Sequence, residues 1–168
     1  MPSLLRQASA GAVLLVATFA APTAQSAPCP IGLPVVGEYS SGFGHRRGGF
    51  HPGVDIRAPT GTPVTAATGG TVTMAQRWYA LGLTVEIQHA DGSRARYAHL
   101  SSFAPGIAPG ATVRPGQRIG AVGRTGRTTG AHLHVELRRD GRAVDPWPWL
   151  TRTACVPYME VAEAPERR

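Results

Sequence analysis

At 168 residues the chain is long enough to bury one core and too short for two ordinary domains. Its net charge is +7, from 17 basic residues, all of them arginine, against 10 acidic ones. The missing lysine excludes a biotinyl or lipoyl carrier, whose prosthetic group needs that amine. Few aromatics and no basic run longer than two argue against nucleic-acid binding.

Arg6 is the only charge before Glu38, and Ala10 to Ala21 is a small-apolar run too short to span a bilayer comfortably. Ala24-Gln25-Ser26 then places small residues where a signal peptidase reads. Residues 1–26 are therefore expected to be a secretory signal. The mature protein is expected to be secreted or to lie in the cell envelope, without stable membrane insertion. Pro28 disfavours a lipid-anchored start at Cys29, because such signals take a small non-proline residue there. Cys29 and Cys155 are the only cysteines, and in an exported protein an even pair reads as a disulfide. It would tie the mature N-terminus to a C-terminal tail of residues 151–168.

Residues 27–36 read as a proline-rich irregular segment, and the domain itself as residues 37–150. Tyr39 to Gly44 predicts a short strand entering a turn, and His45 to Gly49 a charged, glycine-rich loop. Pro52 and Gly53 oppose a helix, so His51 and Asp55 are expected on a loop leading into a strand. Pro63 to Ala67, Gly70 to Ala75, Leu83 to His89 and Arg94 to His99 are short β-favouring runs. Asp91-Gly92 between the last two is a hairpin signal. Val113 to Gly123 predicts another strand pair, and Ala131 to Arg138 a strand that Asp140-Gly141 turns back toward Val144. No segment of ten or more residues has helical periodicity. The implied fold is all-β, a sandwich or barrel of antiparallel sheets with glycine-rich loops. A faint internal echo relates Gly61-Thr-Pro-Val64 and Gly69-Gly-Thr-Val72 to Gly110-Ala-Thr-Val113 and Gly116-Gln-Arg-Ile-Gly120.

The chemistry gathers on Gly130-Ala-His-Leu-His-Val-Glu136. On a strand, side chains at i and i+2 leave one face, so His132 and His134 project together. Two converging imidazoles bind a metal or move protons. A catalytic zinc site takes three ligands from His, Asp or Glu and leaves a fourth position for water. His51, Asp55 and one histidine of the pair meet that need. The other histidine and His99 remain for proton transfer or for stabilising an oxyanion. The same ligand types also suit a non-haem iron site. Neither His-Glu-x-x-His nor Gly-x-Ser-x-Gly occurs. His45 and His89 read as structural residues and Tyr97 as core. Arg46, Arg124 and Arg127 stand open between lining a cleft for substrate carboxylates and solvated surface charge.

These residues resemble those of the lysostaphin-type, or LytM-domain, peptidoglycan metallopeptidases. The likeness runs through Gly42-Phe-Gly-His-Arg46, His51-Pro-Gly-Val-Asp55-Ile-Arg-Ala-Pro59, Tyr97-Ala-His-Leu100, Gly123 through Glu136, and Asp145-Pro146. It implies a duplicated hybrid motif, the barrel-sandwich hybrid, in agreement with the internal echo. It implies one zinc ion held by His51, Asp55 and His134, the second histidine of His-x-His. His99 and His132 would form the catalytic pair, activating water and stabilising the tetrahedral intermediate. The implied activity is hydrolysis of peptide bonds in peptidoglycan stem peptides or cross-bridges, by a monomer. Related modules that have lost ligands serve as non-catalytic binders or regulators; this chain lacks none of the expected ligands.

Overall fold

A computed structural model describes residues 33–151. The expected signal segment, the Cys29–Cys155 pairing and the tail beyond residue 151 lie outside the described residues. The strands are β1 (Glu38–Ser41), β2 (Gly44–Arg46), β3 (Gly49–His51), β4 (Val54–Arg57), β5 (Pro63–Thr65), β6 (Gly70–Trp78), β7 (Gly82–Gln88), β8 (Arg94–Phe103), β9 (Thr112–Val113), β10 (Arg118–Val122), β11 (His132–Arg139) and β12 (Arg142–Val144). Helix among the described residues is limited to a 3₁₀ turn at Tyr79–Leu81 and a short α1 (Trp147–Thr151). None of their helices is long and apolar enough to cross a membrane.

Ten strands form one antiparallel sheet, ordered β1-β4-β11-β8-β7-β6-β9. β12 pairs with β11, and β10 bridges β8 and β5. The polypeptide alternates as a half-buried sheet should. Leu133, Val135 and Leu137 of β11 enter the core with Val54 and Ile56 of β4, Val85 and Ile87 of β7, and Ile119 of β10. Each such side chain stabilises the fold by about 1.5–3 kcal/mol. Tyr97 is also fully buried, and its hydroxyl accepts a hydrogen bond from the Ala67 N–H at 3.0 Å.

The Asp91-Gly92 turn joins β7 to β8 as expected, closed by the His89 N–H to the Ser93 carbonyl at 2.8 Å. Two expectations are corrected. His45 to Gly49 is not a loop: β2 and β3 pair as a two-stranded hairpin, with His45 opposite Phe50 and Arg46 opposite Gly49. Its glycines and charges carry little strand propensity; cross-strand pairing and the edge-to-face contact of Phe43 with Phe50, 5.1 Å between centroids, hold it instead. The strands within Val113 to Gly123 are present but do not pair with each other. β9 pairs with β6 and β10 with β5, so the two echoing units exchange partners. The sequence echo shows similar units but not which strand of one meets which strand of the other.

Candidate metal centre

Strand β11 builds the site. Its polar face carries His132, His134, Glu136 and Arg138 in turn, opposite the apolar Leu133, Val135 and Leu137. β4 lies beside it with Asp55 directly opposite His134. The approach is close at Gly53, where a Cβ would collide with the Val135 carbonyl and stand 2.9 Å from the His134 ring. Glycine is the residue that fits there. His51 comes from the end of β3, so the β2–β3 hairpin is what delivers it.

Three atoms converge. The His134 Nδ1 lies 2.8 Å from Asp55 Oδ1 and 3.1 Å from His51 Nε2, and His51 Nε2 lies 3.2 Å from Asp55 Oδ1. A tetrahedral zinc ion with bonds of about 2.0–2.1 Å sets its ligands about 3.3 Å apart, so a few tenths of an ångström of opening seats one. His51, Asp55 and His134 are the only group of three or more His, Cys, Asp or Glu among the described residues arranged to hold a metal.

The hydrogen bonds behind the rings favour such an ion. A carbonyl oxygen only accepts, so an Nδ1 bonded to one carries the proton and leaves Nε2 with a free lone pair. His51 Nδ1 donates to the Gly42 carbonyl at 2.6 Å, His99 Nδ1 to Thr125 at 2.8 Å, and His132 Nδ1 to Gly130 at 3.0 Å. His132 Nε2 is 3.6 Å from Asp55 Oδ1, and the His99 and His132 rings lie 4.7 Å apart. His134 is turned the other way, with Nδ1 in the cradle. Its Nε2 is buried, and the nearest carboxylate, Glu136 Oε1, stands at 3.5 Å, an electrostatic contact without hydrogen-bond geometry.

Electrostatics follow from this crowding. Burial acts to raise the Asp55 carboxyl, but the His134 and His51 imidazoles held against it outweigh that and keep the group well below the usual carboxylate range. Burial likewise acts to lower His134, and the Asp55 and Glu136 carboxylates reverse it, leaving the imidazole raised. His99 feels only Asp55 in this way, and weakly. Burial, aided by repulsion from His132 and His134 and against the Thr125 carbonyl, pushes it down to about 4.

His99 reaches the site through a distortion. Tyr97 and Leu100 both point into the core, although three residues apart should face opposite sides. The β7–β8 register shifts between them, and His99 takes a left-handed φ of 60°. A bulge of this kind re-aims a side chain and is maintained only where surrounding contacts impose it.

All five residues singled out for the chemistry, His51, Asp55, His99, His132 and His134, line one cleft of about 520 Å³. Arg46 and Arg127 line it too. Arg124 does not; it donates to the Thr129 carbonyl at 3.4 Å. His45 is exposed on β2, and His89 is buried, bonded to the Gly69 carbonyl at 2.8 Å. Glu136 was missed. Its signal was present, because His-x-His-x-Glu extends the same strand face by one more step.

Residues 49–146 match the model of Peptidase family M23. The chain belongs to that family. The M23 domain here is 46% identical over 113 residues to the DD-carboxypeptidase/endopeptidase Mpg of Neisseria meningitidis, a match covering 64% of this chain and 26% of Mpg. Among solved structures it is similar to Helicobacter pylori Csd3, with TM-score 0.66 and 36% identity over 76% of this chain and 34% of that one. It is also similar to the catalytic domain of the antimicrobial peptidase lysostaphin from Staphylococcus simulans, with TM-score 0.63 and 34% identity over 68% of this chain and 92% of that one. The matched part spans about a quarter of the length of the curated relatives, 26% for both Mpg and the Vibrio cholerae endopeptidase ShyA. The antiparallel, helix-poor architecture of this M23 chain agrees with those neighbours.

Proposed function

We propose that residues 37–150 form a zinc endopeptidase that hydrolyses peptide bonds in the stem peptides or cross-bridges of bacterial peptidoglycan. It acts as a monomer, in the envelope or after secretion. The observation that supports this most strongly is the cradle of His51, Asp55 and His134, whose three donor atoms lie within 4.8 Å of one another. Peptidoglycan as substrate rests on the relatives' names.

His51, Asp55 and His134 hold the ion. Zinc bound there would supply Lewis acidity, the chemistry that lowers the pKa of water from 15.7 to about 7. The chain's own residues do the rest. His99 and His132 are the catalytic pair, each oriented by its Nδ1–H on a backbone carbonyl and presenting Nε2 to the cleft. His99 is kept neutral by burial, so its Nε2 accepts a proton from the attacking water. A histidine that has taken that proton is then an N–H donor to the developing oxyanion or to the leaving amine. Glu136 faces the Nε2 of His134 and keeps Nδ1 turned into the cradle.

The test is zymography of the purified protein on peptidoglycan of several cross-link types, with and without a chelator, followed by mass spectrometry of the products. Chelator-sensitive clearing with new amino termini is expected. No clearing on any wall type overturns the enzyme reading in favour of a non-catalytic wall-binding module. Metal analysis showing iron instead of zinc overturns the choice of ion.

A further inference from the structure

The cleft carries a cation that the proposed chemistry does not use. Arg127 is exposed, lines the cleft beside His99 and Thr128, and its guanidinium makes no hydrogen bond or ion pair among the described residues. An exposed arginine is ordinarily just solvated, so its setting decides what it can do. Its loop is rigidly held. The Arg127 N–H donates to the Ala80 carbonyl at 2.7 Å. Gly126, at φ 78°, packs so tightly on Ala80 and Gly82 that a Cβ has no room. The Thr125 hydroxyl accepts from the Leu83 N–H at 2.9 Å and donates to the Leu100 carbonyl at 2.7 Å. The Thr125 carbonyl is the one that orients His99. One fixed loop therefore aims a catalytic histidine and carries an unpaired guanidinium into the same cleft.

The charge of the cleft points the same way. Asp55 is the only carboxylate among the lining residues, and it is committed to His134 and His51. Arg46 adds a second positive charge, though it is partly engaged, with one nitrogen 2.6 Å from the Ser41 hydroxyl and another 3.9 Å from Asp55. A cleft of this sign concentrates anionic ligands, and a planar guanidinium fits a carboxylate through two parallel hydrogen bonds.

We infer that Arg127 is a specificity-determining residue that binds a free carboxylate of the peptide substrate, so that carboxylate-bearing peptides are preferred over their amidated or glycine-only counterparts. This rests on the peptidase reading. The carboxylate has two chemical sources, the side chain of a diamino-diacid residue at the cross-link or the C-terminus of the stem peptide.

Three synthetic cross-linked peptides separate them: both carboxylates free, the side-chain carboxylate amidated, and the C-terminus amidated. Affinity is measured by calorimetry on chelator-treated protein, which does not turn over, and kcat/KM on the zinc-loaded protein. Amidation at one of the two positions is expected to weaken binding about tenfold, the worth of one charge-assisted contact. R127Q compresses that ratio to within about twofold. R124Q, on the same loop but outside the cleft, leaves the ratio as it was. Equal affinity of the wild type for all three peptides overturns the inference, as does a preference that survives R127Q. An Arg127-dependent preference with no cleavage of any peptide upholds it and overturns the peptidase reading alone.

Discussion

The polar face of β11 passes through two buried environments that treat charge in opposite ways. At the Glu136 end the chain neutralises itself. Arg96 Nε stands 2.6 Å from Glu86 Oε2 and its other arm 3.4 Å from Glu136, while Arg138 reaches Glu136 at 3.0 Å. Both glutamates are almost fully buried, and each has arginine partners. At the His134 end no such closure exists. Asp55 and two imidazoles press their acceptor atoms together, with Arg46 only at 3.9 Å from the carboxylate. Acceptors packed against acceptors are stable only with a cation or protons among them. The lesson is that a buried polar group compensated within the chain marks architecture, and one left uncompensated marks a place for something else. Glu136 belongs to both ends, bound by arginine on one side and facing His134 on the other.

The contrast breaks or sharpens in a graded series. His134→Ala removes a ligand and is expected to abolish both stoichiometric metal and hydrolysis, read by elemental analysis and zymography; retained zinc breaks the assignment of the cradle. His99→Ala and His132→Ala are expected to keep the metal and lose about 10²–10⁴ in kcat. Equal metal loss in His132→Ala means the two histidines of the pair have exchanged roles. Glu136→Gln keeps the shape but removes the charge facing His134. Metal affinity, measured by competition with a chromophoric chelator, is expected to fall about 10–100-fold; wild-type affinity means the two ends are independent. Glu86→Gln strikes the self-neutralised end alone. It is expected to lower unfolding free energy by about 2 kcal/mol in urea titrations, less than a fully buried broken pair because Arg96 keeps Glu136 and reaches solvent. Metal affinity stays at the wild-type value.

The smallest effect concerns His89, a buried imidazole away from the metal centre. Burial lowers its pKa below the ordinary 6.5, against the pull of the Gly69 carbonyl and Asp91. Between that depressed value and 6.5 the unfolded chain holds the extra proton, so stability is full above pH 6.5 and falls as the pH drops. Urea midpoints at pH 7.5 and 5.5 are expected to differ less in His89→Gln than in the wild type.

Much of the chemistry was legible along the chain because it follows local rules. Side-chain alternation put His132 and His134 on one face, and the same period places Glu136 there, one step further along. Asp91-Gly92 announced its hairpin because few residues tolerate the backbone that such a turn demands. The hairpin of β2 and β3 was not legible, since its strands are three residues each and held by pairing and an edge-to-face Phe43–Phe50 contact rather than by propensity. The arginines were equivocal for the same reason. Arg124 and Arg127 are three positions apart on one loop, and only the fold shows that one straps the loop while the other enters the cleft.

By itself the sequence determined an antiparallel, helix-poor chain, the residue types gathered in the cradle and the strand face that carries His132 and His134. These depend on residue identity and on a period of two. Only the tertiary structure decided how His99 joins them, through a register shift in β8 that puts Tyr97 and Leu100 on one side and turns the histidine to φ 60°. It also decided which way each imidazole faces, since the carbonyls of Gly42, Thr125 and Gly130 that orient His51, His99 and His132 include two brought from 9 and 26 residues away. A bulge and a hydrogen-bond partner are products of packing between strands, and no local pattern encodes them.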